Sequence, residues 1–586
     1  MPVTEEDWQE LSQDLPDAAD PVITKYLQGR DALIAEEKKQ RSDANFRKAL
    51  SPIARKACAV VARIRDEEKR AIWNPSLEEA LASTAGTTGA CLHPGMMFTH
   101  AKGLMERTRL WRIVRRMPKG ALLHAHCDAM VQFDYLFDVL LSTPGMHILS
   151  PDAHFADGEA RRRGVVQFCF RERDHVDDCP SIWTPDYVPG TPLLLTKMAD
   201  EFPEEGGEGG GGGGRKGFLA WLKTRVTISQ TDSVEQHHGV DHIWRKFMNC
   251  FLCLGTIIHY EPIWRAFLQR LMADLHDDGV SWAEVRFTWA LNYCRAGVEK
   301  PEPDHRHMVI AFQEEVAKFK AEHPGFWGAR LIWTAIRRLD TRAIVEDMDH
   351  CITIKMEFPE AVAGYDLVGQ EDLGRPLRDL LPELFWFRKQ CAAEGVELPF
   401  FFHAGECLGD GDATDSNLFD AVLLGTRRIG HGFSLYKHPL LVDLVRDRRI
   451  LVESCPISNE VLRLCGSILS HPLPALLARG VPCAVSNDDP AILGQDAAGM
   501  THDFWQALQG WENLGLAGLG SLAENSVRWA AFEDQTADEW SRDIREASLG
   551  SGTKAQRLKQ WGVEWEKFCL WIVDEYGEQY LDGDEE

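Results

Sequence analysis

LPFFFHAGE, residues 398–406, is a short apolar run that stops at an imidazole, His403, and a carboxylate, Glu406. Five or six apolar residues suit a buried strand, and polar groups that begin only at its end suit a strand opening into a catalytic loop. The same construction recurs in ALLHAH (121–126), AEVRFTW (283–289), ARLIWTAI (329–336), AVAGYDLVG (361–369), RRIGHG (427–432), ILVESCP (450–456) and PCAVSND (482–488). Long stretches with helical spacing separate most of these runs. Eight strands alternating with helices predict the α/β class and, more narrowly, a (β/α)8 TIM barrel.

Two departures from that rhythm set the domain plan. Residues 1–115 are rich in Ala, Glu, Lys and Arg at helical spacing and read as a helical N-terminal module. More than 150 residues separate the first strand from the second, too many for one βα unit, so 151–235 reads as an insertion. It contains EEGGEGGGGGGRK (204–216), whose glycines favour no single conformation and predict a flexible loop. The barrel is then expected from 116–150 and 236–575.

The chemistry lies at the strand ends. His124 and His126 are two apart and share one face of an extended chain, within reach of one metal ion. HAGE adds His403 and Glu406, RRIGHGF adds His431 between two glycines that leave room for close approach, and SNDDP adds Asp488 and Asp489. Taken one at a time, each has an ordinary reading: satisfied buried histidines, a loop acid, a solvated turn. Together, on one face of one barrel, imidazoles and a carboxylate make a zinc set with an open position for water. Cys250 and Cys253 form a CxxC inside an apolar helical stretch with no second pair, which reads as buried thiols. No G-x-S-x-G elbow or cytidine-deaminase signature is present.

A net charge of −26, with no local basic patch evident in the sequence, speaks against nucleic acid or an anionic membrane as partner. The first residues, MPVTEEDWQE, have neither the basic nor the apolar part of a secretory signal, and no apolar run reaches membrane-spanning length. With fifteen scattered cysteines, this reads as a cytoplasmic chain of reduced thiols, Cys169 and Cys179 included.

LLHAH, HAGE, RIGHG and SNDDP, in that order, resemble the motifs of the adenosine deaminase family. A helical N-terminal extension, a long insertion after the first strand and the segment 244–287 resemble its adenosine deaminase 2-like subgroup, also called adenosine deaminase-related growth factors. The resemblance spans about residues 30–570. It implies one Zn2+ per chain on His124, His126, His403 and Asp488. It makes Glu406 the proton donor to the purine and His431 a base and electrostatic partner. It gives Asp128, Trp244, Gly369 and Asp489 substrate contacts, and it implies a homodimer through the N-terminal helices. The implied reaction converts adenosine, and 2′-deoxyadenosine, to inosine and ammonia by attack at purine C6. Alternatives are a related hydrolase acting on adenine, AMP or a modified nucleoside, and a growth-factor-like binding protein without turnover. AMP would need a cation near the ribose end, for which Arg286, in AEVRF, is the candidate the sequence offers, although a role in barrel structure suits it better. One departure concerns the sugar end: Cys127 follows His126 where the subgroup has Asp, and the acid comes one place later, at Asp128, a shift that on a strand turns it to the other face.

Overall fold

The computed structural model describes residues 3–73, 93–172, 179–204 and 212–581. Each of the eight expected runs contributes a parallel strand. With three further strands that lie between the first and second barrel strands, the order among the described residues is β1 (Gly120–Leu122), β2 (Met146–Leu149), β3 (Gln167–Phe170), β4 (Leu193–Leu194), β5 (Val280–Thr288), β6 (Gly328–Ile336), β7 (Val362–Val368), β8 (His403–Ala404), β9 (Arg428–His431), β10 (Leu451–Ser454) and β11 (Cys483–Val485). One arc pairs β1-β5-β6-β7 and the other β8-β9-β10-β11, all parallel. Single bridges close the ring, Tyr365 to Phe400 on one side and Ala125 to Asp488 on the other. The chain is therefore a closed (β/α)8 barrel.

The arcs differ in regularity. β5 and β6 run for 9 residues each, whereas LPFFFHAGE yields only the two-residue β8 plus the Phe400 bridge. Its phenylalanines are buried all the same, so burial rather than ladder pairing accounts for their apolar character.

At the N-terminus, helix Pro52–Ala71 packs Ala57, Val60, Val61 and Ile64 against the closing helix Thr553–Leu581. Helix Pro21–Gln40 buries no residue at all. Outside the barrel, β2, β3 and β4 make an antiparallel sheet in the order β3-β2-β4, so the added layer begins at β2, ahead of the expected boundary at 151. The glycine run at 205–211 lies outside the described residues. The end of that expected loop, Gly214 to Lys216, instead opens helix Gly214–Val226, which buries Phe218, Trp221 and Leu222. Apolar anchors every three to four residues outweigh the poor helix propensity of the leading glycine. Among the described residues, no helix is long and apolar enough to cross a membrane.

Candidate active site

The barrel's closing seam brings the first cluster together. The His126 N–H donates to the Asp488 carbonyl at 2.9 Å and the Asp488 N–H to the His124 carbonyl at 3.2 Å. Backbone pairing thus aligns three of the expected ligands before any side chain is considered. His124 Nε2 and His126 Nε2 each lie 3.3 Å from Asp488 Oδ1. His403 joins from β8, and donor atoms of all four residues fall within 4.8 Å of one another. Two ligands each about 2 Å from a common tetrahedral ion stand about 3.3 Å apart, which is the spacing of both imidazoles from Asp488.

Their outer nitrogens are already engaged. His124 Nδ1 lies 2.8 Å from Glu453 Oε2, and His403 Nδ1 lies 2.6 Å from Asp366 Oδ2. A carboxylate on Nδ1 holds the proton there and leaves the Nε2 lone pair facing inward. His124 Nε2 and Asp488 Oδ1 are accordingly buried with no hydrogen-bond partner. Such orphaned, convergent acceptors fit a cation better than any packing role. An overlapping group adds His431 and Cys455 to His124 and Asp488. Burial raises the Cys455 thiol pKa well above the ordinary range, which favours the other set.

Arg286 is buried between the two supporting carboxylates, donating to Asp366 and to Glu453 at 2.8 Å each and to the Leu123 and Phe401 carbonyls. This is the structural role, not the phosphate-binding one. Burial opposes the charge on Asp366, but His403 and Arg286 more than offset it and its pKa falls far below the usual range. Glu453 behaves likewise between Arg286 and Arg428. His403 itself is pushed down to about 3 by burial and is neutral, as a ligand must be.

The acids beside this cluster diverge. Burial would raise Asp488, yet the imidazoles of His431, His124 and His126 around it hold it well below the carboxylate range. Asp489, next in the chain and fully buried, is raised well above that range by burial and then by Asp488; neither of its oxygens has a partner. Glu406 is raised by burial, then by Asp488 and Glu371, while its backbone N–H is held by Glu371 at 2.8 Å. Its free Oε1 stands 3.5 Å from His431 Nε2.

His431 is oriented by a relay. The Leu473 N–H can only donate, so His471 Nδ1 accepts it at 3.1 Å. Burial presses His471 down to about 3, so it is neutral and carries its proton on Nε2, which donates to Asn459 Oδ1 at 3.0 Å. The Asn459 amide nitrogen therefore faces His431 Nδ1, at 3.1 Å, as a donor. Neutral His431 then bears its proton on Nε2, toward Asp488 and Glu406. This arrangement favours the electrostatic half of the role expected of His431 over the base half. His431 and Asp488 also hold left-handed backbone conformations, φ 61° and 58°, which non-glycine residues adopt at a strain. The glycines around His431 do not open a path for ligand. A Cβ on Gly430 would lie 2.8 Å from the His124 ring, so that glycine makes room for a neighbouring side chain.

A cavity of about 220 Å³ opens onto these groups and is lined by all four expected substrate contacts, Asp128, Trp244, Gly369 and Asp489. Asp128 does not turn away, because residues 127–129 form a 3-10 turn and the two-residue alternation of a strand no longer applies. Burial pushes Asp128 up to about 7. Helix Val240–Ile258 supplies an apolar wall of Trp244, Phe247, Met248 and Phe251. Cys250 and Cys253 are buried in that helix, with thiols pushed up to about 12. The sequence reading missed Asp366, Glu453, Glu371, Asn459, His471 and the mouth residue Arg338. The first two carried a signal: single acids inside otherwise apolar strands are rarely buried without a partner.

A closed parallel barrel with imidazoles and carboxylates converging at the C-terminal ends of its strands has the layout of a (β/α)8 enzyme. Residues 223–547 match the family model for adenosine deaminase. The chain is 32% identical to adenosine deaminase 2-A of Danio rerio over 76% of its own length and 82% of that protein's. It is 33% identical to adenosine deaminase 2 of Sus scrofa over 83% and 91%, and 32% identical to adenosine deaminase 2 of Homo sapiens over 81% and 83%. The chain belongs to the adenosine deaminase family, in its adenosine deaminase 2-like branch, and is a hydrolytic deaminase.

Proposed function

We propose that this enzyme hydrolyses adenosine, and 2′-deoxyadenosine, to inosine and ammonia, with one zinc ion held by His124, His126, His403 and Asp488. The observation that carries the reading is the convergence of those four donors, two of them imidazoles turned inward by Glu453 and Asp366. Once bound there, zinc supplies the Lewis acidity that makes a hydrolytic water nucleophilic near neutral pH.

The chain's own groups do the rest. Glu406, kept protonated by burial and by its acidic neighbours, gives its proton to the ring nitrogen beside the attacked carbon. His431 directs its Nε2–H at the developing negative charge. Asp489, also protonated, donates to the imidazole side of the purine, and the Gly369 backbone approaches the ring where no side chain intervenes. Trp244 and Phe251 exclude water from the base, and Asp128 meets the ribose.

Ultraviolet absorbance following adenosine-to-inosine conversion tests this reading. Glu406→Gln should lower kcat by about 10²–10⁴-fold and leave the zinc content of the chain unchanged. Ammonia release at the wild-type rate by that variant would sink the assignment. A second reading, deamination of AMP, draws on Arg338, an exposed cation that lines the mouth of the cavity. Activity on AMP and none on adenosine would select it.

For the assembly we infer a homodimer through the first helices, supported by Trp8, Val22, Tyr26 and Leu33, apolar yet each more than half exposed. Removal of residues 1–40 leaves the packed helix Pro52–Ala71 in place and should halve the mass measured by light scattering.

A further inference from the structure

A second and larger cavity, about 880 Å³, lies between the insertion and the outer side of helix Val240–Ile258. Its walls come from helices Gly158–Arg163, Gly214–Val226 and Val240–Ile258, which present Arg162, Arg163, Arg225, His242, Arg245 and Lys246. Among the described residues Asp232 is the one carboxylate in the lining, and Lys246 engages it. In a chain of net charge −26, a cluster of arginines around one concavity runs against the overall field.

Apart from Lys246, these groups form no strong ion pair among the described residues. Arg163 reaches Glu159 only across exposed surface, a contact of little strength. Arg225 donates to the Arg162 and Gly164 carbonyls, its Nε is buried without a partner, and no ion pair is formed by it. Arg162 and Arg245 are exposed, and Arg245 makes only a 3.4 Å bond to a carbonyl of its own helix. His242 is drawn below the ordinary histidine range by burial and then by His238, Arg463 and Arg245, so it offers a neutral imidazole beside the arginines.

We propose that this cavity is a binding site for a multivalent phosphate ligand, either a nucleoside triphosphate or an inorganic oligophosphate. Guanidinium forks match the paired oxygens of phosphate, and cations converging from three helices onto a concave surface suit a compact polyanion better than an extended one. The site is separate from the catalytic cavity, and its binding does not depend on the proposed reaction.

Calorimetric titration of the full chain with tripolyphosphate, and separately with cytidine triphosphate, tests the proposal at physiological ionic strength. Saturable binding of one ligand per chain is expected. The double variant Arg162→Gln/Arg245→Gln should weaken it by at least about tenfold, since each removes a charge-assisted hydrogen-bond donor. An unchanged Tm without ligand shows that the variant is folded, and Arg342→Gln, an exposed cation remote from the cavity, should bind as wild type does. Tighter binding of the nucleotide than of tripolyphosphate identifies a nucleotide site, and equal or weaker binding an inorganic one. Absence of saturable binding by wild type, equal affinity in the double variant, or binding only to a sulfated polysaccharide would overturn the proposal.

Discussion

The two arcs of the barrel divide the work. The first, β1-β5-β6-β7, contains the long regular strands and contributes Arg286 and Asp366 to a fully buried ion-pair network. The second, β8-β9-β10-β11, is built of strands of two to four residues and contributes His403, Glu406, His431, Asp488 and Asp489, two of them in left-handed conformations. The contrast teaches that the acid/base groups stand where the sheet has nearly dissolved into loop, and that support crosses between the arcs: Asp366 of the first holds His403, and Glu453 of the second holds His124 beside β1. His403 shows this directly: it sits on the second arc and takes its orientation from Asp366 on the first.

The comparison breaks most visibly at Arg286. Arg286→Met should strip two buried carboxylates of their shared cation and destabilise the fold by about 3–5 kcal/mol, read as a lower midpoint in denaturant. If the midpoint stays near wild type, the network is not what holds the regular arc to the reactive one. Next in size is Asp366→Asn, which keeps the shape but loses the charge behind His403. Zinc affinity, measured by competition with a chelator, should fall about 10–100-fold, with far less change in stability. Wild-type affinity would mean that His403 needs no support from the first arc.

A smaller effect is expected within the second arc. His471→Phe removes the relay that fixes Asn459, so His431 should lose its single tautomer. A decrease of about tenfold in kcat, little change in KM and a shifted pH profile are expected; a change confined to KM would place the relay outside the chemistry. Smallest is Asp128→Asn. Asp128 titrates at about 7 in the cavity, above the ordinary aspartate value, so it is ionised and best able to accept from a ribose hydroxyl only above neutrality. KM for adenosine should rise about fivefold at pH 8 and hardly at pH 6, in keeping with one net hydrogen bond of about 1 kcal/mol. The sign for stability is opposite. The folded state binds the proton more tightly than the unfolded one, so stability falls as pH rises from about 4 through 7, and Asp128→Asn should flatten that slope.

Much of this protein was legible along the chain. Short apolar runs separated by long helical stretches identified all eight barrel strands, because burial of a strand imposes that pattern locally. The spacing of His124 and His126, and the paired acids at 488 and 489, likewise carry their chemistry in a few adjacent positions. What the tertiary structure alone decided were relations between distant segments: Glu453 behind His124, Asp366 behind His403, and the chain of hydrogen bonds from Leu473 to His431. The opposite pKa shifts of Asp488 and Asp489 belong here too, since adjacent residues of one type differ only through what the fold packs around each. So does the 3-10 turn that points Asp128 into the cavity, and so does the meeting of basic side chains from three helices, each unremarked in its own stretch of sequence. Periodicity is a property of neighbours in the chain, whereas protonation state and orientation are properties of neighbours in space.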